Sequence, residues 1–446
     1  MKCVFICSVP ISHIIPIQPI VEYFKERDID VSVVSNKQNR QRIENYGAKF
    51  VEYPFDFLGN NNSDLLYERS LKFNEYIMKE EYSKAFDYFV KKDTEYFYDH
   101  SFENLKLLFN VIKNEKPDFI IRDAVDRYGN VIAKLLNIPC IGIITHCLYS
   151  KKYFESNPSY LYKVFMDALK FDSKKLDKYF TTFRKNSELI HESVYMDSET
   201  FRINTFHQFD PCEELTLINS IKTLQPKISF ETNRKYLLIY PNLKRFEIES
   251  DSDEFLQSFI ENAKHKAKKI VYIATGSMIS FKYEFCIKLI DNLLKNDLCV
   301  IVSNNTDYKI LRDYYNKQKE LVYIDKFIPQ QFVLKNSDLF ISSAGQNSII
   351  EAIYHKIPIL AMPLTSEQKL NGLLIEESGI GLTTYINRDR YITYGSLVKS
   401  LLFESKYKVN LEILNYDLIH GKNNFDVILD YVKERQEQIN NFYIAR

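Results

Sequence analysis

Short runs of β-branched and other apolar residues alternate with longer helical patterns along almost the whole chain, and this alternation constrains the fold most. "KCVFICSV" (2–9) reads as a first strand and "IQPIVEYFKERD" as its helix. "DVSVVSN" (30–36) and "KFVEYP" (49–54) read as the second and third strands. A helical and loop region fills 60–115. "DFIIRD" (118–123) and "IPCIGIIT" (138–145), with "YGNVIAKLLN" between them, supply a fourth strand, a helix and a fifth strand. Residues 146–210 are helical and crowded with Tyr and Phe, and "LTLINSI" (215–221) and "KYLLIYPN" (235–242) add two more strands. Strands separated by helices in this way build parallel βαβ units. "LKRFEIESDSDE" then turns acidic and loses apolar periodicity, which places a linker near 243–255. The alternation restarts with "KIVYIATGS" (269–277), a helix (283–296), "LCVIVSN" (298–304), "LVYIDKF" (321–327), "DLFIS" (338–342) and "IPILAMP" (357–363).

The expected architecture is therefore α/β: two facing, doubly wound Rossmann-like domains with parallel sheets, spanning 1–243 and 256–420. Residues 421–446 are expected as a C-terminal helix packing back on the first domain. A chain of 446 residues is too long for one compact core and suits two domains. Lys+Arg and Asp+Glu both number 59, a balance that argues against nucleic acid as a partner. The seven cysteines show no CxxC pair and no zinc spacing, and read as buried thiols of a reducing compartment. The apolar N-terminus is interrupted by Pro10 and lacks an A-x-A site, so it reads as a strand, not as a leader. With no run of 18 apolar residues, the expectation is a cytoplasmic protein without a transmembrane segment.

Glycine is scarce, 11 of 446, yet Gly276, Gly345, Gly372, Gly379 and Gly381 fall within about a hundred residues of one another. In "ISSAGQNSIIEAIYHKIPILAMPLTSEQ" (341–368), the run ending at Ser342 gives way to small polar residues, and a helix is expected about six residues later. Ligands of open parallel sheets bind beyond the carboxyl ends of the strands, and a helix N-terminus there offers N–H groups to a phosphate. Gly345 would let an anion approach the backbone, with Asn347 and Ser348 adding hydrogen bonds. Ser348-x-x-Glu351 and Thr365-x-x-Gln368 also match capping boxes, which start helices without any ligand. Together with Gly276-Ser277 after an earlier strand, these loops suggest a pyrophosphate pocket.

"FIPQQFVLKNSDLFISSAGQNSIIEAIYHKIPILAMPLTSEQKLNGLLIEESGIGL" (327–382) resembles the donor-binding signature of the UDP-glycosyltransferases (glycosyltransferase family 1, GT-B fold), closest to bacterial macrolide-glycosyltransferase-like members. The likeness extends to "IATGSM" (273–278) and to "PISHIIPIQPIVEYF" near the N-terminus. It implies that Phe327 stacks on the nucleoside base with Gln330 beside it, and that Ser343, Gly345, Asn347, Ser348 and, across the pocket, Gly276 and Ser277 face the pyrophosphate. It further implies that Glu351 holds the ribose and that Glu367 and Gln368 hold the sugar. Ser343 departs from the family's usual histidine; it can donate a hydrogen bond but brings no positive charge.

His13, in "SHIIP", follows the first strand where the family shows Gly-His-x-x-Pro, and Asp123 ends the fourth. In the strand order 3-2-1-4-5, strands one and four are neighbours, so these residues open into one crevice. Sugar transfer to a hydroxyl needs a base. A histidine near neutral pKa, oriented by a carboxylate, suits that role, and the resemblance gives both positions these parts. Without the resemblance, a solvated loop histidine and a helix N-cap are the favoured readings of His13 and Asp123. His146 is the reserve base, and the aromatic segment 149–180 is read either as helix packing or as an apolar acceptor pocket.

The expected activity is inverting transfer of a sugar from a UDP-sugar or similar nucleotide sugar to a hydroxyl of a small lipophilic or aromatic acceptor. No metal and no cofactor beyond the nucleotide-sugar co-substrate are expected. A glycolipid or lipid-linked-sugar transferase of the same fold, and a catalytically inactive sugar-nucleotide-binding protein, are the alternatives.

Overall fold

The computed structural model describes residues 1–7, 11–55, 92–126, 128–156, 209–227, 233–247, 254–274, 280–386 and 394–444, with scattered positions between 68 and 85 and at 181 and 185. Among these the strands form two sheets. The first holds β1 (Lys2–Ile6), β2 (Asp30–Ser35), β3 (Lys49–Glu52), β4 (Phe119–Asp123), β5 (Cys140–Ile144), β6 (Leu215–Ile218) and β7 (Lys235–Leu238), in the order β3-β2-β1-β4-β5-β6-β7. The second holds β8 (Ile270–Ala274), β9 (Cys299–Ser303), β10 (Val322–Asp325), β11 (Leu339–Ser342), β12 (Ile359–Ala361) and β13 (Gly381–Thr383), in the order β10-β9-β8-β11-β12-β13. Every pairing in both sheets is parallel.

The burial of successive residues explains why these runs are apolar without alternation. In β1, Cys3 and Phe5 face a core shared with Ile20, Val21 and Phe24 of the helix Gln18–Lys25. Val4 and Ile6 face the opposite core, with Leu105, Leu108 and Ile112 of the helix Lys92–Glu115. In β8, Tyr272 and Ala274 point one way and Val271 and Ile273 the other. Side chains alternate sides along a strand, so a strand covered on both faces needs apolar residues throughout.

The expected strands are present, shorter at their ends; residues 8–9 and 275–277 lie outside the described residues. β13 has almost no signature of its own, being three residues long. A Cβ on Gly381 would sit 2.2 Å from the carbonyl oxygen of Ile359, so this strand can pair with β12 only through glycine. The expected linker is described up to Glu247 and again from Glu254.

Two features join the sheets. Cys147, Tyr149, Tyr153, Phe154 and Phe209 share a core with Ile349, Ile350 and Ala352 beside the second sheet. Of the aromatic segment 149–180, then, Tyr149, Tyr153 and Phe154 are packing residues, while 157–180 lie outside the described residues. Phe425, Ile428, Tyr431 and Val432, at and within the helix Asp426–Ile444, belong to the core of the first sheet. Among the described residues no helix is long and apolar enough to cross a membrane.

Candidate active site

Because β1 pairs with β4, with Ile6 opposite Arg122, the chain leaving β1 meets the end of β4 where the strand order reverses. His13 stands on a short helix there, Ile11–Ile14, and its Nδ1 lies 2.5 Å from Oδ2 of Asp123. Residues 110 apart in sequence are thus in contact. Asp123 is buried, and its Oδ1 accepts the Val125 N–H at 3.0 Å. An ionised carboxylate only accepts, so the hydrogen sits on Nδ1 and Nε2 keeps its lone pair. Burial pushes the His13 pKa down, but the charge and hydrogen bond of Asp123, with a contribution from Glu367, raise it above the ordinary 6.5. Thr145 Oγ1, 3.3 Å from Nδ1, completes the surroundings.

The N-cap alternative for Asp123 belongs to a neighbour. Asp126 accepts the N–H groups of Tyr128 and Gly129 where the helix Gly129–Leu136 begins, and burial raises its pKa to about 6. Arg122, fully buried, holds the end of β4: Nε donates to Glu213 at 2.8 Å, and its two terminal nitrogens donate to the carbonyls of Asp126 and Pro211, each at 2.7 Å. Its only sequence signal is a charge inside an apolar strand. His146 is buried beside the rings of Tyr149 and Phe209 and donates from Nδ1 to the Cys147 carbonyl at 2.7 Å, away from the cleft lining.

Opposite this dyad, β8, β11 and β12 lie side by side, so the loops after them adjoin. The loop after β8 contains Gly276 and Ser277, which lie outside the described residues. After β11 the helix Gln346–His355 begins earlier than expected, four residues past Ser342, with Gly345 as its N-cap. Ser348 is therefore already inside the first turn, and the Ser348–Glu351 capping box does not form. The left-handed residue of this loop is Ala344, at φ +64°, whereas Gly345 has φ −66° and a Cβ on it would meet no protein atom within 4 Å. Protein sterics do not demand Gly345; its bare backbone simply lies open on the cleft.

Glu351 receives a hydrogen bond from Gln330 Nε2, and Gln330 Oε1 accepts from the Tyr272 hydroxyl at 3.3 Å. After β12, Thr365 and Gln368 form the expected capping box at the start of the helix Ser366–Glu377. The Gln368 Oε1 is thereby committed to the N–H groups of Leu364 and Thr365, leaving its NH2 as the end available to a ligand. Glu367 accepts from Asn371 Nδ2 at 3.2 Å. Asn347 donates to the Ser12 carbonyl at 3.4 Å, while its Oδ1 is buried without a hydrogen-bond partner. Phe327 stands 76% exposed at the mouth, with Lys326 Nζ 5.2 Å from its ring centre.

Of the residues that the sequence pointed to as catalytic or donor-binding, those described, except Asp123, line one cleft of about 390 Å³ between the sheets: His13, Phe327, Gln330, Ser343, Gly345, Asn347, Ser348, Glu351, Glu367 and Gln368. Thr145, Ser303, Asn305 and Gln346 line it too. Ser303 and Asn305 were findable, because they end and follow β9, the neighbour of β8. The described lining contains no Lys or Arg.

Two doubly wound parallel sheets meeting across a cleft, each turning the carboxyl ends of its strands toward it, give this chain the GT-B architecture. A family model of the UDP-glucoronosyl and UDP-glucosyl transferases matches residues 2–424, and the chain belongs to that family. It is 25% identical over 304 residues to the NDP-glycosyltransferase YjiC of Bacillus subtilis (strain 168), covering 67% of each chain. It is 24% identical over 450 residues to the human UDP-glucuronosyltransferase 2B15, covering 90% of this chain and 77% of the relative. Among solved structures, the glycotransferase of kitacinnamycin superposes with a TM-score of 0.68 at 18% identity, over 97% of this chain and 98% of that one.

Proposed function

We propose that this enzyme moves a sugar from a UDP-sugar to a hydroxyl of a small lipophilic acceptor, inverting the anomeric carbon. The observation that carries this reading is the 2.5 Å contact of His13 with Asp123, on the cleft wall opposite Glu351, Glu367 and Gln368. His13 Nε2 takes the acceptor's hydroxyl proton as its oxygen forms a bond to C1 of the sugar. The bond from C1 to the phosphate oxygen breaks, and the nucleoside diphosphate leaves with the electron pair. Asp123 stabilises the imidazolium and holds the ring in the tautomer that leaves Nε2 free to act as a base.

On the donor side, Phe327 offers a ring for the base, Gln330 lies beside the nucleoside, and Glu351 accepts from the ribose hydroxyls. The diphosphate meets Ser343, Ser348 and the N–H groups that open the helix Gln346–His355, joined by Gly276 and Ser277. With no Lys or Arg in the described lining, these N–H groups and the positive end of the helix dipole carry the stabilisation of its charge. Glu367 and the Gln368 NH2 hold the sugar. Asn347 joins the groups that meet the diphosphate: one N–H of its amide donates to the Ser12 carbonyl, and the other remains for the diphosphate. Ile11 and Ile15, beside His13, give the acceptor side its apolar character. In this reading 1–243 is the acceptor domain, 256–420 the donor domain, and 421–446 the segment that returns to the first. No metal takes part.

Incubating the protein with UDP-sugars and a panel of phenols, macrolides and lipids, with anomeric configuration read by NMR, tests the proposal. A β-linked product from an α-linked donor is expected. An α-linked product overturns inversion, transfer to lipids alone favours the glycolipid alternative, and binding without any product favours an inactive sugar-nucleotide-binding protein.

A further inference from the structure

Asn371 is fully buried one helical turn beyond Glu367, and every hydrogen-bonding position of its amide but one lone pair is used. Nδ2 donates to the Ala344 carbonyl at 2.9 Å and to Glu367 Oε1 at 3.2 Å, and Oδ1 accepts from the Tyr149 hydroxyl at 2.8 Å. The carbonyl and the carboxylate only accept, so the amide can face them only with its NH2. That leaves Oδ1 for Tyr149, whose hydroxyl must donate. The three partners come from three places: Glu367 from the cleft, Ala344 from the left-handed residue of the loop after β11, and Tyr149 from the segment after β5 of the other sheet.

We infer that Asn371, held by Tyr149, is a positioning residue for the donor: it aims the Glu367 carboxylate at the sugar and fixes the peptide that presents the Gly345 N–H to the diphosphate. This inference rests on the donor reading of the cleft. One hydrogen bond pins a carboxylate oxygen of Glu367, leaving its other oxygen for a sugar hydroxyl. The bond to Ala344 acts through geometry. In a trans peptide the C=O and the following N–H point in opposite directions, so holding the Ala344 carbonyl on Asn371 turns the Gly345 N–H away from it. That orientation is maintained in spite of a backbone angle that alanine disfavours. Tyr149 makes the arrangement span both sheets, since its ring is fully buried in the core they share.

The test compares dissociation constants of UDP and of UDP-glucose, UDP-galactose, UDP-N-acetylglucosamine, UDP-glucuronate and dTDP-glucose, by titration calorimetry. The ratio of the UDP constant to that of the tightest UDP-sugar isolates the sugar contacts, because loop and base contacts cancel. In Asn371→Ala this ratio should fall about tenfold or more, as for loss of a hydrogen bond to a charged group. In a Glu367→Ala background, Asn371→Ala should lower the ratio no further, while UDP alone still binds more weakly through the Ala344 bond. Tyr149→Phe, which keeps the ring and removes only the hydroxyl, should lower the ratio severalfold with little change in melting temperature. A lower melting temperature with an unchanged ratio in both Asn371→Ala and Tyr149→Phe overturns the inference and leaves the donor reading standing. Should Asn371→Ala fail to fold, the ratio in Tyr149→Phe decides alone. A wild type that binds none of these nucleotides overturns the donor reading and this inference with it.

Discussion

The proton transfer proposed for His13 has a pH signature whose direction follows from the ring's surroundings. The base works only when neutral, and Asp123 and Glu367 raise its pKa above 6.5, so kcat/KM should climb with pH and level off only above that value. Asp123→Asn should move the acid limb to lower pH, because the favouring charge is gone, and lower the plateau, because the tautomer is no longer held. His13→Ala should cut turnover by roughly 10²–10⁴ with nucleotide affinity nearly unchanged. A pH–rate series on the three proteins checks all of this, and an acid limb unmoved in Asp123→Asn would separate Asp123 from the titrating group. A second residue has the opposite sign. Lys369 is fully buried, donates to the Leu364 carbonyl at 2.7 Å, lies 4.9 Å from the centre of the Phe73 ring, and burial lowers its pKa from the ordinary 10.5 to about 7. Between pH 7 and 10.5 the unfolded chain binds this proton and the folded one releases it, so stability rises with pH in that window. Lys369→Met should remove a rise of roughly 2 kcal/mol between about pH 7 and pH 8.5, at 1.36 kcal/mol per unit, as measured by denaturant unfolding at the two pH values.

At the scale of the element, two helices that look alike in sequence begin differently. The helix Ser366–Glu377 starts on a formed Thr365–Gln368 capping box, whereas the helix Gln346–His355 starts on Gly345 with no side-chain cap. Thr365→Ala should therefore cost about 1 kcal/mol, while Ser348→Ala should stay within roughly 0.5 kcal/mol; urea unfolding distinguishes them. The difference shows what sequence could and could not convey. Strand runs were legible because burial on both faces leaves an unmistakable apolar block, and the neighbouring of β1 and β4 followed from the common order of doubly wound sheets, which brought His13 to Asp123. The start of the helix after β11 was not legible. It depends on Ala344 adopting φ +64°, a conformation alanine takes only under tertiary constraint, here including the grip of Asn371 on its carbonyl. The capping-box pattern at Ser348 was sound local chemistry overruled by that constraint. The parts of Asn371 and Arg122 were hard to read for a related reason: each has, beside near partners, one far away in the chain, 222 residues in the case of Tyr149 and 91 in that of Glu213.

At the scale of the molecule, the first sheet is completed from far along the chain. Tyr23 meets the ring of Phe425 with centres 5.4 Å apart and donates from its hydroxyl to Asp426; Lys235 pairs with Glu434 at 2.7 Å. Ile428 is fully buried within that core, so Ile428→Ala should destabilise the protein by about 2–5 kcal/mol, the range for a truncated core side chain. Calorimetric melting checks this, and a loss below about 1 kcal/mol would mean that the helix Asp426–Ile444 contributes little to the first sheet. A chain cut after residue 420 should bind a hydrophobic dye more strongly than the intact protein, because the core around Phe24 and Ile43 is uncovered.

The same covering helix sets a timetable for synthesis. The last strand of the first sheet, β7, ends at Leu238, but the residues that finish its core arrive only at 425–432. At about 5–20 residues per second, the ribosome takes roughly 10–40 s to make the segment between them. Throughout that interval the nascent chain lacks the side chains of Phe425, Ile428, Tyr431 and Val432, which belong to that core in the folded protein. Slowing elongation lengthens that interval, and with it the time for which an apolar face is open to holding factors, before any mature property of the enzyme exists.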